Sequence, residues 1–326
     1  MVLHINRTER DSWFKRCGAL LMAAALIALV LSGPSLASTV KQRTFASPEE
    51  AVKALVEALK SKDAKALEAI FGPGSKDLVS SGDPVADSAE YERTVNHLEQ
   101  KTRLEQSAGK VILHAGNEEW PFAIPIVKKD ALWRFDSKQG REEILARRIG
   151  QNELNAIQVC LAYADAQREY ALKDRDADGL LEYAQKLISD PGKQNGLHWD
   201  VKEGEKQSPL GPLVAETDKQ GYTFRGGKPS PYHGYFYRIL KAQGKNAPGG
   251  AYDYMVKGRM IGGFALVAYP AKYASSGVMS FIVNQDGVVY QKDLGRNTEK
   301  TAQAMKLFNP DSSWKKVEEK DTKAKE

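Results

Sequence analysis

The chain has 326 residues, with 47 Lys and Arg against 42 Asp and Glu, and a mean hydropathy of −0.48. The basic residues are scattered among carboxylates, which excludes the continuous basic stripe that a nucleic-acid surface needs, so no nucleic-acid partner is expected. Two cysteines exclude a disulfide-stapled scaffold, and stability must come from packing.

Residues 1–37 read as a secretory signal peptide. Arg7, Arg10, Lys15 and Arg16 form a basic n-region, and Gly18 to Leu31 is an uncharged, almost wholly apolar run of fourteen residues. That length suits an h-region and falls short of the roughly 20 residues a spanning helix needs. Ser35-Leu36-Ala37 puts small residues at both positions read by a signal peptidase, so cleavage after Ala37 is expected. The alternative is an uncleaved N-terminal signal anchor. Cleavage removes four Lys/Arg and two Asp/Glu, leaving a formal charge of +3 and one cysteine, Cys160. The expected location is the periplasm or the outside of the cell, with no membrane span after cleavage.

After a linker at 38–46, residues 47–148 form the first of two expected domains. Ser47-Pro48-Glu49-Glu50 combines an N-cap, a proline at the first helical position and a capping box. Ala51, Val52, Leu55, Val56 and Leu59 then recur at helical spacing. A short helix with Leu67, Ile70 and Phe71 stops at Gly72-Pro73-Gly74, and a polar helix is expected from Asp87 to about Glu105. Strands follow at 110–114, 122–127 and 131–135, where Pro125 marks an edge or bulge and Lys128-Lys129-Asp130 marks a hairpin turn.

The second expected domain is 149–310. Leu154, Ile157, Leu161 and Ala164 lie on one face of a long helix. Leu180, Tyr183, Ala184, Leu187 and Ile188 predict a second helix ended by Asp190-Pro191-Gly192. The Gly-, Pro- and Lys-rich stretch 193–231 reads as a loosely ordered excursion. Strands are predicted at 235–240, 264–270, 278–283 and 288–292, the last two joined by the tight turn Asn284-Gln285-Asp286-Gly287. Residues 311–326 read as a charged tail, frayed from Trp314. The class is α+β: helices then a meander, followed by a long helix then an antiparallel sheet.

Several stretches carry a resemblance. The opening helix pair and the closing Trp133-Arg134-Phe135-Asp136 strand resemble the cone-shaped folds of the nuclear-transport-factor-2-like superfamily. The long helix leading into an antiparallel meander resembles the soluble part of a pilin. Gly150-Gln151-Asn152-Glu153-Leu154, the turn from Asp174 to Tyr183, Tyr232-His233-Gly234-Tyr235, the run Gly263 to Pro270 and the run Phe281 to Gly287 resemble a bacterial family of exported proteins labelled domain of unknown function 2950. Trp120-Pro121-Phe122 and the helix at Pro48 extend that likeness over nearly the whole mature chain. It implies export and this architecture, and it transfers no catalytic residue.

One stretch has recognisable ligand chemistry. Counting Asp174 as position 1 of a calcium loop places Asp176 at 3, Asp178 at 5, Gly179 at 6, the Leu180 carbonyl at 7 and Glu182 at 9. Position 12 is Gln185 rather than the bidentate Glu of a full loop. Two readings stand: a weak structural Ca2+ site, with a dissociation constant on the order of 10⁻⁴ to 10⁻³ M, or an acidic hydrated turn. The tyrosines give a second candidate. Tyr235 and Tyr237, and likewise Tyr252 and Tyr254, are two apart and share strand faces. They form either cross-strand packing or an amphipathic platform for an envelope protein or polysaccharide. His97, His114, His198 and His233 have no ligand spacing, Cys160 lies in an apolar helical pattern, and no nucleophile or phosphate-loop motif occurs. No catalytic residue is therefore assigned. Two functions remain: an exported cell-envelope protein serving as a non-catalytic binding or structural module, or a hydrolase acting on an envelope polymer or peptide.

Overall fold

A computed structural model describes residues 41–318, apart from 108, 203, 220, 221 and 223–229. The expected signal peptide, residues 38–40 and residues 319–326 lie outside the described residues. The class is α+β, as the periodicities predict.

Four helices open the fold: α1 (Pro48–Lys60), α2 (Ala64–Phe71), α3 (Lys76–Val79) and α4 (Pro84–Gln100). Helix α1 starts where its cap residues dictate. Ser47 Oγ accepts from Glu50 N at 3.2 Å, and the Glu50 carboxylate reaches back to accept from Ala46 N at 3.0 Å. Its buried face is Ala51, Val52, Ala54, Leu55, Ala58 and Leu59. The five strands that follow are β1 (Thr102–Ser107), β2 (Lys110–Ala115), β3 (Trp120–Pro121), β4 (Ile126–Lys129) and β5 (Leu132–Phe135). They form an antiparallel sheet in the order β1-β2-β4-β5, with β3 on β2. Leu55, Ile70, Leu113, Ile124, Ile126 and Phe135 fill the core between helices and sheet.

The polar helix ends five residues earlier than expected. Residues 102–107 are a strand in register with β2, Thr102 opposite Ala115 and Ser107 opposite Lys110. Its side chains are partly or fully exposed, so no buried face wrote an alternation into the sequence; the neighbouring strand decides the conformation instead.

Helix α5 (Ser137–Tyr170) runs unbroken for 34 residues, roughly 50 Å. Its first turns pack Ile144 and Leu145 against the first core. Its later turns bury Ala156, Ile157, Cys160, Tyr163 and Ala164 in the second core. The boundary expected at 148/149 thus falls inside a helix that joins two cores. After α6 (Gly211–Lys219), the chain forms β6 (Tyr235–Leu240), β7 (Ala242–Gln243), β8 (Tyr252–Asp253), β9 (Met255–Val256), β10 (Arg259–Met260), β11 (Ala265–Pro270), β12 (Met279–Asn284), β13 (Tyr290–Asp293), α7 (Thr298–Ala304), β14 (Leu307–Phe308) and β15 (Lys315–Lys316). The main sheet has the order β15-β13-β12-β11-β6. All six residues of β11 are buried, because α5 packs on the strand as α7 and β14 also do; hence its unbroken apolar run.

Three further expectations are corrected. Residues 180–188 form no helix. Gln167 on α5 bonds both main-chain groups of Ala184, accepting from its N and donating to its O at 2.8 Å each, and Tyr183 N donates to Met260 O at 2.8 Å. Backbone groups satisfied from outside have no need of a helix, and the helical spacing of the apolar residues is overridden. The stretch 193–231 is not loose along its first part, since Leu197, Leu210 and Val214 are buried in the second core. The charged tail is not frayed from Trp314: Lys315 and Lys316 pair with β13, and Val317 is buried. None of the described helices is long and apolar enough to cross a membrane.

Candidate functional site

The acidic turn leaves α5 at Tyr170 and winds around the Asp174 carboxylate. Asp174 Oδ1 accepts from Asp176 N at 3.3 Å and Ala177 N at 2.8 Å, and its Oδ2 accepts from Gly179 N at 2.8 Å. These donors hold the Asp174 carboxyl below its ordinary value, the Gly179 amide contributing most. The winding needs left-handed backbone at Ala177 (φ 61°) and Gly179 (φ 85°), which glycine adopts at no steric cost. Asp178 Oδ1 accepts from Leu180 N at 2.9 Å. One carboxylate oxygen from each of Asp174, Asp176 and Asp178 falls within 4.8 Å of the others, so the sequence spacing does bring these three together.

A positive charge enters this cluster from 83 residues beyond Asp176. Arg259, on the hairpin formed by β9 and β10, sends Nη1 to Asp176 Oδ2 at 3.3 Å and toward Glu182 Oε2 at 3.7 Å, while Nη2 pairs with Asp178. The guanidinium relieves part of the like-charge repulsion among these carboxylates. Glu182 lies on the rim, its carboxyl pushed up by desolvation and by Asp176. Leu180, expected to offer its carbonyl, has an exposed side chain. Gln185, at the place of a twelfth ligand, turns to the hairpin instead, donating to Gly258 O at 2.8 Å and accepting from Lys241 Nζ at 3.0 Å. The loop is an acidic joint, tied by one guanidinium, between the end of α5 and the β9–β10 hairpin.

The four tyrosines do not share an open face. Tyr235 and Tyr254 are fully buried. Tyr235 packs on Phe281 and donates to Met279 O at 2.8 Å, and Tyr254 donates to Gln243 Oε1 at 2.9 Å. Tyr237 is half-buried, with its hydroxyl 3.4 Å from Tyr232 O. Only Tyr252 is exposed, its ring 5.5 Å from that of Tyr254. Cross-strand and core packing accounts for their spacing.

Two of the stretches that carried the family resemblance, 150–154 and 232–235, meet elsewhere, where α4, α5 and the main sheet converge. Tyr232 to Tyr235 form a two-residue turn with His233 at φ 49° and Gly234 at φ 72°. Gly234 lies so close to Asn152 that a Cβ there would sit 2.6 Å from Asn152 Nδ2. Asn152 Nδ2 in turn donates to Ser276 O at 2.8 Å, and Glu153 Oε1 accepts from Val278 N and Met279 N at 2.9 Å each. Beneath the turn is Asp83, 1% exposed. Its Oδ1 caps α4 through Val85 N and Ala86 N, and its Oδ2 accepts from Tyr222 Oη at 2.9 Å and Gly234 N at 2.8 Å. The half-buried His233 ring lies 4.1 Å from Tyr232 and is held below its ordinary pKa, desolvation outweighing the pull of Asp83. Asp83 was legible as a cap, because Asp-Pro is a helix-start signal. Its second role was not, since its partners are about 140 and 151 residues away. Nothing in the sequence marks Arg259.

A mixed α+β chain with two cores on one long helix, and an acidic loop held by an arginine from a distant hairpin, is the class of protein these features define. The chain belongs to the DUF2950 family, described as "Protein of unknown function", whose profile matches residues 42–317. No curated protein and no solved structure matches.

Proposed function

We propose that this chain is an exported cell-envelope protein that acts as a non-catalytic binding or structural module. The observation that carries this reading is how its interior polar side chains are used. Asp83, Asn152 and Glu153 bond main-chain groups far along the chain, and Gln167 bonds both main-chain groups of Ala184. Arg148 donates to Asp77 O and Leu78 O, and Arg238 to Ala302 O and Met305 O. Side chains whose hydrogen bonds end on backbone hold a scaffold, whereas an acid or base at work keeps a bond for its substrate. Incubating the mature protein with envelope polysaccharide and peptide fractions tests this. Retention with no released fragments is expected; soluble fragments would overturn it. The alternative, a hydrolase, draws on His233, a depressed imidazole near Asp83. It requires those fragments to appear with the wild type and vanish with His233→Ala.

Export rests on the pattern of residues 1–37 and on the family resemblance. The exported protein is expected to begin at Ser38 on N-terminal sequencing. An intact Met1 in the mature fraction points to an uncleaved anchor.

The acidic loop enters this reading as a structural element. Arg259 already engages the carboxylates that calcium would need, so a few millimolar calcium is expected to leave the wild-type melting temperature almost unchanged. Arg259→Ala frees the carboxylates, and the same calcium should then raise the melting temperature by about 2–4 °C, for a site in the 10⁻⁴ to 10⁻³ M range. Adding Asp176→Ala should remove that increase. Identical curves for Arg259→Ala in calcium and in chelator mean a plain acidic loop.

A further inference from the structure

Beside the acidic loop is a groove of about 300 Å³ whose walls include Glu169, Lys173, Arg175, Trp199, Glu205 and Lys206. Arg175 is its fixed point. The guanidinium carbon lies 4.5 Å from the Tyr170 ring centroid and 4.9 Å from that of Trp199, so the fork is held over two aromatic faces. Nε donates to Tyr170 O at 3.3 Å, and Nη1 makes a long contact of 3.5 Å to Gln194 Oε1. Nη2 has no hydrogen-bond partner among the described residues. Burial lowers the Arg175 pKa, and Tyr170 and Glu169 partly oppose that.

The surrounding charges are unevenly matched. Lys206 pairs with Glu169 at 2.9 Å, and Glu205 accepts from Lys202 N at 3.0 Å. The neighbouring Asp174 carboxylate is turned into its own loop by three main-chain donors. Lys173 and Arg175 are left as the positive charges without a side-chain carboxylate partner among the described residues. An arginine immobilised on aromatic rings with one amino group to spare is preorganised for a planar anion, and its fork fits a carboxylate. The rest of the groove is amphipathic: Leu172, Trp199 and Pro209 offer apolar surface, and Gln194 and Gln207 offer amides. Apolar patches for a ring face and amides for hydroxyls suit a sugar.

We propose that this groove binds an acidic saccharide through its carboxylate, with Arg175 as the anchoring donor and Lys173 as the supporting charge. This deepens the binding-module reading and rests on it. The test is calorimetric titration of the mature protein with a galacturonate trimer, with the same trimer fully methyl-esterified, and with acetate. The trimer is expected to bind, and the ester, which keeps the rings and loses the charge, to bind at least about tenfold more weakly. Acetate should compete only at much higher concentration. Arg175→Lys keeps the charge and loses the fork, and should weaken the trimer by about tenfold. Its melting temperature checks that the fold survives. Lys173→Ala, outside the aromatic stack, should weaken binding severalfold without that risk. Equal affinity for trimer and ester, indifference to both substitutions, acetate binding as tightly as the trimer, or no heat with any probe at millimolar concentration overturns the proposal. The binding-module reading is judged separately, by retention on whole envelope fractions, and survives any of these results if retention persists.

Discussion

Replacing Asp83 by Ala is expected to cost about 3–5 kcal/mol of folding stability. Losing the N-cap of α4 accounts for about 1 kcal/mol of this. The remainder comes from what the side chain leaves behind: the Tyr222 hydroxyl and the Gly234 N–H both donate to Asp83 Oδ2, in a place where Asp83, Tyr222 and Tyr232 are each less than 5% exposed. Stranding a buried donor costs about 1–3 kcal/mol. Asp83→Asn separates the two contributions. The amide keeps an oxygen for the cap but places an NH2 against two donors. The hydroxyl can rotate away and the main-chain N–H cannot, so Asn should fall between the wild type and Ala. Urea denaturation of the three proteins measures it. A loss of 1 kcal/mol or less for Asp83→Ala would mean that the carboxylate only caps a helix and does not tie α4 to the Tyr232–Tyr235 turn.

The same residue shows what a sequence can and cannot convey. Local rules are written locally. Ser47-Pro48-Glu49-Glu50 sets the start of α1 because its cap partners are within four residues. The run at 265–270 reads as a buried strand because all six of its residues are buried, a condition that leaves only apolar residues. At 180–188, by contrast, the apolar spacing is helical and the backbone is not, because the decisive partners, Gln167 and Met260, lie at other places in the chain. The candidate site divides in the same way. The three aspartates and Gly179 are legible because a loop that winds on itself needs them at fixed short intervals. Arg259 is not, since its pairing with Asp176 depends on where a hairpin lands 83 residues later. The tyrosine alternation was read as a shared face, and burial then decided which way the faces point: Tyr235 and Tyr254 inward, Tyr252 outward.

Two glycines on one helix should respond to the same substitution with opposite signs. Both Gly140 and Gly150 lie within α5, where alanine is favoured over glycine by about 1 kcal/mol when nothing else intervenes. Nothing lies within 4 Å of a Cβ built at Gly150, so Gly150→Ala should stabilise by up to about 1 kcal/mol. At Gly140 the added carbon would sit 2.4 Å from Ala123 O and 2.7 Å from Ala123 C. Those are backbone atoms, in the segment entering β4, and they cannot rotate away. The helix or the strand must move, and Gly140→Ala should therefore destabilise by about 2–3 kcal/mol despite its better propensity. The pair bears on how the molecule is held together. Gly140 is where α5 presses on the first core, and Gly150 lies between that contact and the second. If α5 transmits stability from one core to the other, both substitutions should shift a single cooperative unfolding transition, Gly140→Ala downward and Gly150→Ala upward. Two transitions, with Gly140→Ala moving only one of them, would mean that the first core unfolds alone and that the helix melts at Gly150 between them.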